Sequence, residues 1–432
     1  MEGVKAREIS DELRRLYPRV VAKTLALTRS LPDAEDAVQD SIERALESWP
    51  VSGRPDSPEA WLVTVAANGH RDRIRRRHRE ERYGDAVARL AEMSPWARIA
   101  LGEQEIAQGW KDDLLGLVFA CCHPTLEPGE SAALALATVI GLSVDEIARA
   151  FVVPPRTMEQ RLSRARRRLR ERGDCEGARP GEAQDRLEAV LRVVHLLFNE
   201  GYWSTDDDAP IRAELCRLAM GLARSLLVAF PGTPEVAGLL ALLLLHDARR
   251  PARLSASGAP LALPDQDRER WDRAAIAAAT ELLERALTVG PAGPFQIEAA
   301  ISAVHCRART AAETDWREIA ALYALLESQR PTPAVRVNRA FAVARVDGPA
   351  AGLALLDGDG GAEIRQYPYV HLVRGALLEE LGRIEDARVA LRLAAKHARN
   401  RHEAEQIDAR IDLLGVRGST HSEAKRHRSP LR

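Results

Sequence analysis

Residues 141–170, GLSVDEIARAFVVPPRTMEQRLSRARRRLR, decide the fold class. Ser143 stands three residues before Glu146, the capping-box spacing that starts a helix, and Ile147 and Ala148 give that helix an apolar side. Phe151, Val152 and Val153 form a tight apolar turn. Pro154 and Pro155 then open a second helix, where a missing N–H costs little. Met158, Leu162, Ala165 and Leu169 fall at helical spacing and form its buried side. Arg156, Thr157, Glu159, Gln160, Ser163 and Arg164 fall on the other side. An apolar hairpin with a polar, arginine-rich second helix is a helix-turn-helix. The first residues of such a helix meet base edges in the major groove, and later arginines meet phosphates.

Helical periodicity continues outward from this hairpin in both directions, and an all-α fold is expected. Leu13, Leu16, Tyr17, Val20, Val21, Thr24 and Leu25 mark one amphipathic helix, and Ala34, Ala37, Val38, Ala45, Leu46 and Trp49 mark the next. A breaker-rich loop, Pro50–Pro58, separates these from a helix carrying Trp61, Leu62, Val65 and Ala66. Residues 83–111 read as a linker, 112–172 as a second compact helical unit, and 173–184 as another linker. Ala- and Leu-rich helical hairpins follow to Leu414, divided into 185–290 and 291–414. Residues 415–432 are basic and polar and are expected to be disordered.

Charge cancels over the whole chain and is segregated within it. The 432 residues carry 62 Lys and Arg against 63 Asp and Glu. Yet residues 71–82 hold seven arginines against Asp72, Glu80 and Glu81, and residues 156–172 hold eight against Glu159 and Glu171. Residues 31–47 are the reverse, with Asp33, Glu35, Asp36, Asp40, Glu43 and Glu47 against Arg44. Basic helices neutralise phosphates and release counterions. The acidic helix repels DNA and suits a basic protein partner. A charged helix is also how an ordinary solvated face looks.

Composition closes off other classes. A hydrophobic content of 46% with 29% charged residues fits globular domains. The longest apolar run, Val236–Leu245, is half of the ~20 residues a membrane-spanning helix needs. The N-terminal residues carry no apolar leader core, and five cysteines are too few and too uneven for a disulfide framework, so a cytoplasmic location is expected. Cys121, Cys122 and His123 are adjacent and lack a second ligand pair, Asp206–Asp208 lacks a fourth carboxylate, and 357–361 lacks the closing Glu of a calcium loop. No nucleotide loop or hydrolase motif occurs. No catalytic residue, metal or cofactor is expected.

Taken together, the modules resemble the sigma-70 family, in particular its extracytoplasmic-function group. LPDAEDAVQDSIERALESW (31–49) is similar to the region 2 helices that grip the clamp helices of the RNA polymerase beta-prime subunit. PEAWLVTVAANGHRDRIRRR (58–77) is similar to the helix that opens the −10 element. Residues 112–172 resemble region 4, which reads the −35 element and touches the beta flap. The resemblance implies polymerase docking through Asp33, Glu35, Asp36, Gln39, Asp40 and Glu43. It implies −10 contacts from Arg54, Asn68, Arg71, Arg75 and Arg76. It implies −35 contacts from Arg156, Thr157, Glu159, Gln160, Arg161, Ser163 and Arg164. An amide such as Asn68 donates and accepts in one plane, which suits a base edge. A flipped base, costing a few kcal/mol, would sit in the loop Val51–Asp56. Ala67 replaces the Arg often found before that Asn.

The rest of the chain resembles family members with a long helical extension ending in tetratricopeptide-like repeats, through HLLFNEGYWST, LLALLLLHDARRPAR, DQDRERWDR, AAISAVHCRA and PAVRVNRAFAVA. Ala340, Gly352 and Leu356 recur 35 residues later as Gly375, Ala387 and Leu391. Phe295 and Glu298 stand where Tyr and Gln are expected. Several polar groups lie within apolar helices: Asn199, Glu200, Tyr202, His246, Asp265, Gln266, Asp267, Arg268, His305, Asp315 and Asn338. They either line a site for a protein or small-molecule signal or tie hairpins together. Two rivals remain at this level. One is a helix-turn-helix regulator with a tetratricopeptide-like effector domain, for which the acidic helix would have no use. The other is a metal-dependent enzyme built on Asp206–Asp208.

Overall fold

The computed structural model describes residues 2–80, 113–151, 153–171, 180–204, 211–256, 258, 261–358, 364, 367, 369–398 and 401–426. The linker 83–111 and Asp206–Asp208 lie outside them. The described residues form helices and short turns, with no strand element among them. The chain divides into two compact units, one of Met1–Phe198 with Arg217–Pro231, the other of Asn199–Cys216 with Gly232–Arg432.

In the first unit, α1 (Glu2–Thr28), α2 (Leu31–Ser52) and α3 (Pro58–Glu80) pack on one another. Their shared core is Leu13, Val20, Val21, Leu25, Ala34, Val38, Ala45, Trp49, Leu62 and Ala66. Ser30 caps α2 by accepting from the Asp33 amide at 3.3 Å. Leu46, expected inside, is exposed, because it falls about 100° around the helix from Ala45. The helix continues past Pro50 and ends at Gly53, whose φ of 84° no side chain adopts easily. Trp61 packs edge-to-face on Trp49 at 5.6 Å, as part of the core.

The same unit holds α4 (Asp113–Cys121), α5 (Pro128–Ala135) with a π-turn at Leu136–Ile140, α6 (Val144–Ala150) and α7 (Pro155–Glu171). Cys121 and Cys122 are buried, and burial pushes the Cys122 thiol up to about 12. The helix α8 (Pro180–Tyr202) begins inside the stretch read as a linker. Its first part and most of α9 (Ala213–Ala229) belong to this unit, where Phe230 stacks on Phe119 at 6.1 Å. The division therefore falls inside α8 and α9 and not in a linker near 173–184.

In the second unit, α10 (Pro234–Asp247) packs on α11 (Arg273–Leu287) and α12 (Pro294–Arg307). A Cβ on Gly238 would meet Gln296 at 2.6 Å, so these helices touch through their backbones. Glu235 accepts from the amides of Phe295 and Gln296, both at 3.1 Å, and caps α12. Next come α13 (Trp316–Gln329), α14 (Pro333–Asp347), α15 (Pro349–Asp357), α16 (Tyr369–Glu380), α17 (Ile384–Ala395) and α18 (Arg401–Arg426). The recurring small residues sit at crossings: a Cβ on Gly352 would lie 2.6 Å from the Ala340 carbonyl, and one on Gly375 would lie 2.8 Å from Leu391. The tail differs from expectation, since α18 stays helical through Arg426.

Candidate nucleic-acid interface and acidic helix

The hairpin α6–α7 takes the form its sequence dictates. Ser143 Oγ accepts from the Glu146 amide at 3.3 Å, and the Glu146 carboxylate accepts from the Ser143 amide at 2.6 Å. Met158, Leu162, Ala165 and Leu169 are all buried on α7. Arg156, Thr157, Glu159, Gln160, Ser163 and Arg164 are exposed in one polar stripe. Arg161 is half-buried and lies over the Phe151 ring at 5.4 Å, so it both braces the turn and borders the stripe. The first three turns of α7 therefore present donors and acceptors to solvent on a rigid, capped support.

The later arginines do something else. Arg166 Nε donates to Glu35 Oε2 at 2.8 Å, and its terminal nitrogen donates to Oε1 at 3.2 Å. The Thr138 hydroxyl donates to the same carboxylate at 2.8 Å. Arg170 reaches both Asp36 oxygens at 2.9 Å. Arg168 donates to Glu130 at 2.7 Å, and Arg167 lies 3.6 Å from Glu171. The later arginines of this helix, expected at phosphates, are engaged in ion pairs within the chain. Burial works against the Arg166 charge, but Glu35 more than offsets it and the net shift is upward. Tyr17 beside them is driven upward by burial first and by Glu35 second, which keeps its phenol protonated.

The acidic helix is consequently split. Glu35 is 6% exposed and faces the protein interior. Asp33 and Asp36 are half-buried, while Gln39, Asp40 and Glu43 are exposed farther along α2. The six residues do not form one solvent face. Thr138, Arg166 and Arg170 are the partners that sequence reasoning missed. Eight arginines in one short segment, too many for one helix face, were the signal for them.

Among the −10 residues, Asn68 and Arg71 are exposed on α3, and Arg71 donates to the Asn68 amide oxygen at 3.3 Å. Arg75 and Arg76 continue the same helix. Arg54 lies after α2 and pairs with Glu12 of α1 at 2.5 Å. The loop is thus tied to α1 through the one cation expected to face a flipped base.

In the second unit some of the polar groups singled out in the sequence are exposed helix caps. Asp267 and Asp315 cap the turns that follow them, accepting from the amides of Glu269 at 3.0 Å and Glu318 at 2.9 Å. Phe295 is buried with Arg330 over its ring at 4.9 Å, and Arg330 pairs with Glu298 at 2.9 Å. Burial pushes the Glu298 carboxyl up to about 7, with Arg330 opposing. Among the described residues, no helix is long and apolar enough to cross a membrane.

Comparison with known proteins places these elements. Residues 13–80 match the family description Sigma-70 region 2, and residues 117–169 match Sigma-70, region 4. Residues 186–287 match a family of unknown function, DUF6596. The chain is 40% identical over 416 residues to the uncharacterized protein R00370 of Rhizobium meliloti (strain 1021), covering 95% of this chain and 96% of that one. It is 29% identical over 162 residues to the ECF RNA polymerase sigma factor SigE of Mycolicibacterium smegmatis (strain ATCC 700084 / mc(2)155), covering 37% of this chain and 60% of that one. No solved structure matches.

Proposed function

The chain belongs to the sigma-70 family as an alternative sigma factor of the extracytoplasmic-function type with a C-terminal extension; it directs transcription initiation, and on that premise we propose how its surfaces divide the work. The exposed stripe of α7 enters the major groove of the −35 element. Arg156, Thr157, Glu159 and Gln160 reach base edges, and Arg161, Ser163 and Arg164 reach the flanking phosphates. On α3, Asn68 reads an unstacked base of the −10 strand, while Arg71, Arg75 and Arg76 follow its backbone. Arg54 exchanges Glu12 for the extruded nucleotide.

The acidic side of α2 docks on the beta-prime clamp helices of core RNA polymerase, and the region 4 unit docks on the beta flap. Asp40, Gln39 and Glu43 make the first encounter, because they are exposed. Glu35 and Asp36 are held by Arg166 and Arg170, so docking at that end of α2 trades ion pairs within the chain for pairs with the polymerase. The protein works in the cytoplasm and supplies no catalytic group; bond formation belongs to the polymerase. The extension acts as the regulator of this activity and receives a protein or small-molecule signal.

One observation carries the reading: a capped helix-turn-helix with an exposed polar stripe belongs to the same unit as an acidic helix that DNA would repel. Run-off transcription with core polymerase and the full chain tests it. Asp40→Arg with Glu43→Arg is expected to abolish polymerase binding and transcripts together. Retention of both by that variant would overturn the docking assignment.

A further inference from the structure

The second unit gathers buried positive charge in one stretch of chain. Arg249, Arg253 and Arg268 are 6%, 5% and 7% exposed. Among the described residues none of the three makes an ion pair with a carboxylate. Buried guanidinium groups are ordinarily paired, because desolvation costs several kcal/mol per ion.

The chain path brings them together. The Ala248 carbonyl accepts from the Asp272 amide at 2.9 Å, and Cys306 Sγ lies 3.9 Å from the Leu245 carbonyl. The turn after α10 therefore sits beside both the start of α11 and the end of α12. Arg268 donates to the carbonyls of His305 and Ala308 at 2.8 Å and lies over Trp271 at 4.8 Å. Arg273, at the exposed edge, donates to the Cys306 carbonyl at 3.2 Å. Arg253 lies over the rings of Tyr202 at 3.9 Å and Trp203 at 4.8 Å.

The same stretch holds buried donors without partners. Arg249 Nε, Arg253 Nε and Trp271 Nε1 are buried donors with no acceptor. His305 is held neutral, its pKa lowered to about 4 by burial first and then by Arg249 and Arg268. Burial lowers the Arg268 pKa, and Arg249 and Arg273 push the same way, while Cys306 and the exposed Glu313 oppose them.

We propose that Arg249 and Arg268, with the donors of Arg253 and Trp271, form a binding site for the carboxylate or phosphate group of a small metabolite. A polymer backbone cannot reach side chains this deeply buried, which favours a small anion over nucleic acid. A bound oxyanion accepts from the orphaned donors and neutralises the cluster in one step. The site gives the extension its signal and in that respect rests on the regulatory reading above. Its binding is measured without polymerase, so the two stand or fall separately.

The test is thermal unfolding and calorimetric titration of the full chain with sodium phosphate, with sodium succinate, and with sodium chloride at matched ionic strength. The expected result is a saturable rise of several degrees with phosphate or succinate beyond the chloride control. Whichever acts names the source, and equal action by both assigns the site to oxyanion charge alone. In Arg249→Met and Arg253→Met, tested separately, the rise is expected to fall at least tenfold in apparent affinity. The midpoint without anion is expected to hold or increase, because an unanswered buried charge has been removed. No rise beyond chloride, or an undiminished rise in both variants, would overturn the proposal.

Discussion

Arg166 and Glu35 stand 131 residues apart in the chain and hold each other through two hydrogen bonds, at 2.8 and 3.2 Å. The pair fastens the last turns of the recognition helix to the start of the acidic helix, and Thr138 supplies a third bond to the same carboxylate. A double-mutant cycle of Arg166→Met and Glu35→Gln, read by urea unfolding, should return a coupling of about 1.5–3 kcal/mol, the range for hydrogen bonds to charged groups. A coupling near zero would mean that the contact does not hold in solution.

The capping box at Ser143 supports α6 locally. Ser143→Ala removes the acceptor for the Glu146 amide and should cost about 1 kcal/mol. Ser143→Gly, which also lacks the hydroxyl, should cost only a few tenths. Denaturant midpoints of the two variants check this.

On α7, Arg164→Ala should weaken promoter binding alike for every sequence and flatten the salt dependence by about one unit of slope. Gln160→Ala should instead relax preference at one base pair, at about 1–3 kcal/mol. Polymerase-dependent binding to −35 variants, measured over a salt series, separates the two behaviours.

His305 makes the second unit acid-sensitive. Its folded pKa of about 4 lies below the usual 6.5, so the neutral ring is the form the fold favours. That contribution is present above pH 6.5 and is lost as pH falls through about 4, up to about 3 kcal/mol in all. Between pH 7 and 4 the wild type should lose stability relative to His305→Phe by up to that amount, read from denaturant unfolding at each pH; an unchanged difference would overturn it.

Gly352→Ala should destabilise the second unit by about 1–3 kcal/mol, because the new methyl would meet the Ala340 carbonyl at 2.6 Å and Ala344 Cβ at 2.7 Å. Gly232→Ala, with open space around it, should stay within about 0.5 kcal/mol. Calorimetry of both variants provides the comparison.

Much of this is legible in the sequence. Met158, Leu162, Ala165 and Leu169 announce the buried side of α7 because helical period alone sorts side chains by face. The recurrence of Ala340 as Gly375 and of Gly352 as Ala387 marks close crossings, because little room is left there for larger side chains. The fate of charges was not legible. Arg164 and Arg166 look alike in the sequence, yet one faces solvent and the other reaches Glu35. Leu46 was misplaced by one residue around its helix, and the polar composition of 415–426 concealed a continuing helix.

The amino-acid sequence by itself determined the helical fold class, the helix-turn-helix and the opposed charges of α2 and α7, since periodicity, caps and local composition act over a few residues. Only the tertiary structure decided that Glu35 turns inward to Arg166 and that Arg249, Arg253 and Arg268 lie buried with no ion pair among the described residues. Pairing and burial depend on which distant segments pack together, and the Coulomb and desolvation energies that result belong to the packed assembly, not to any segment of it.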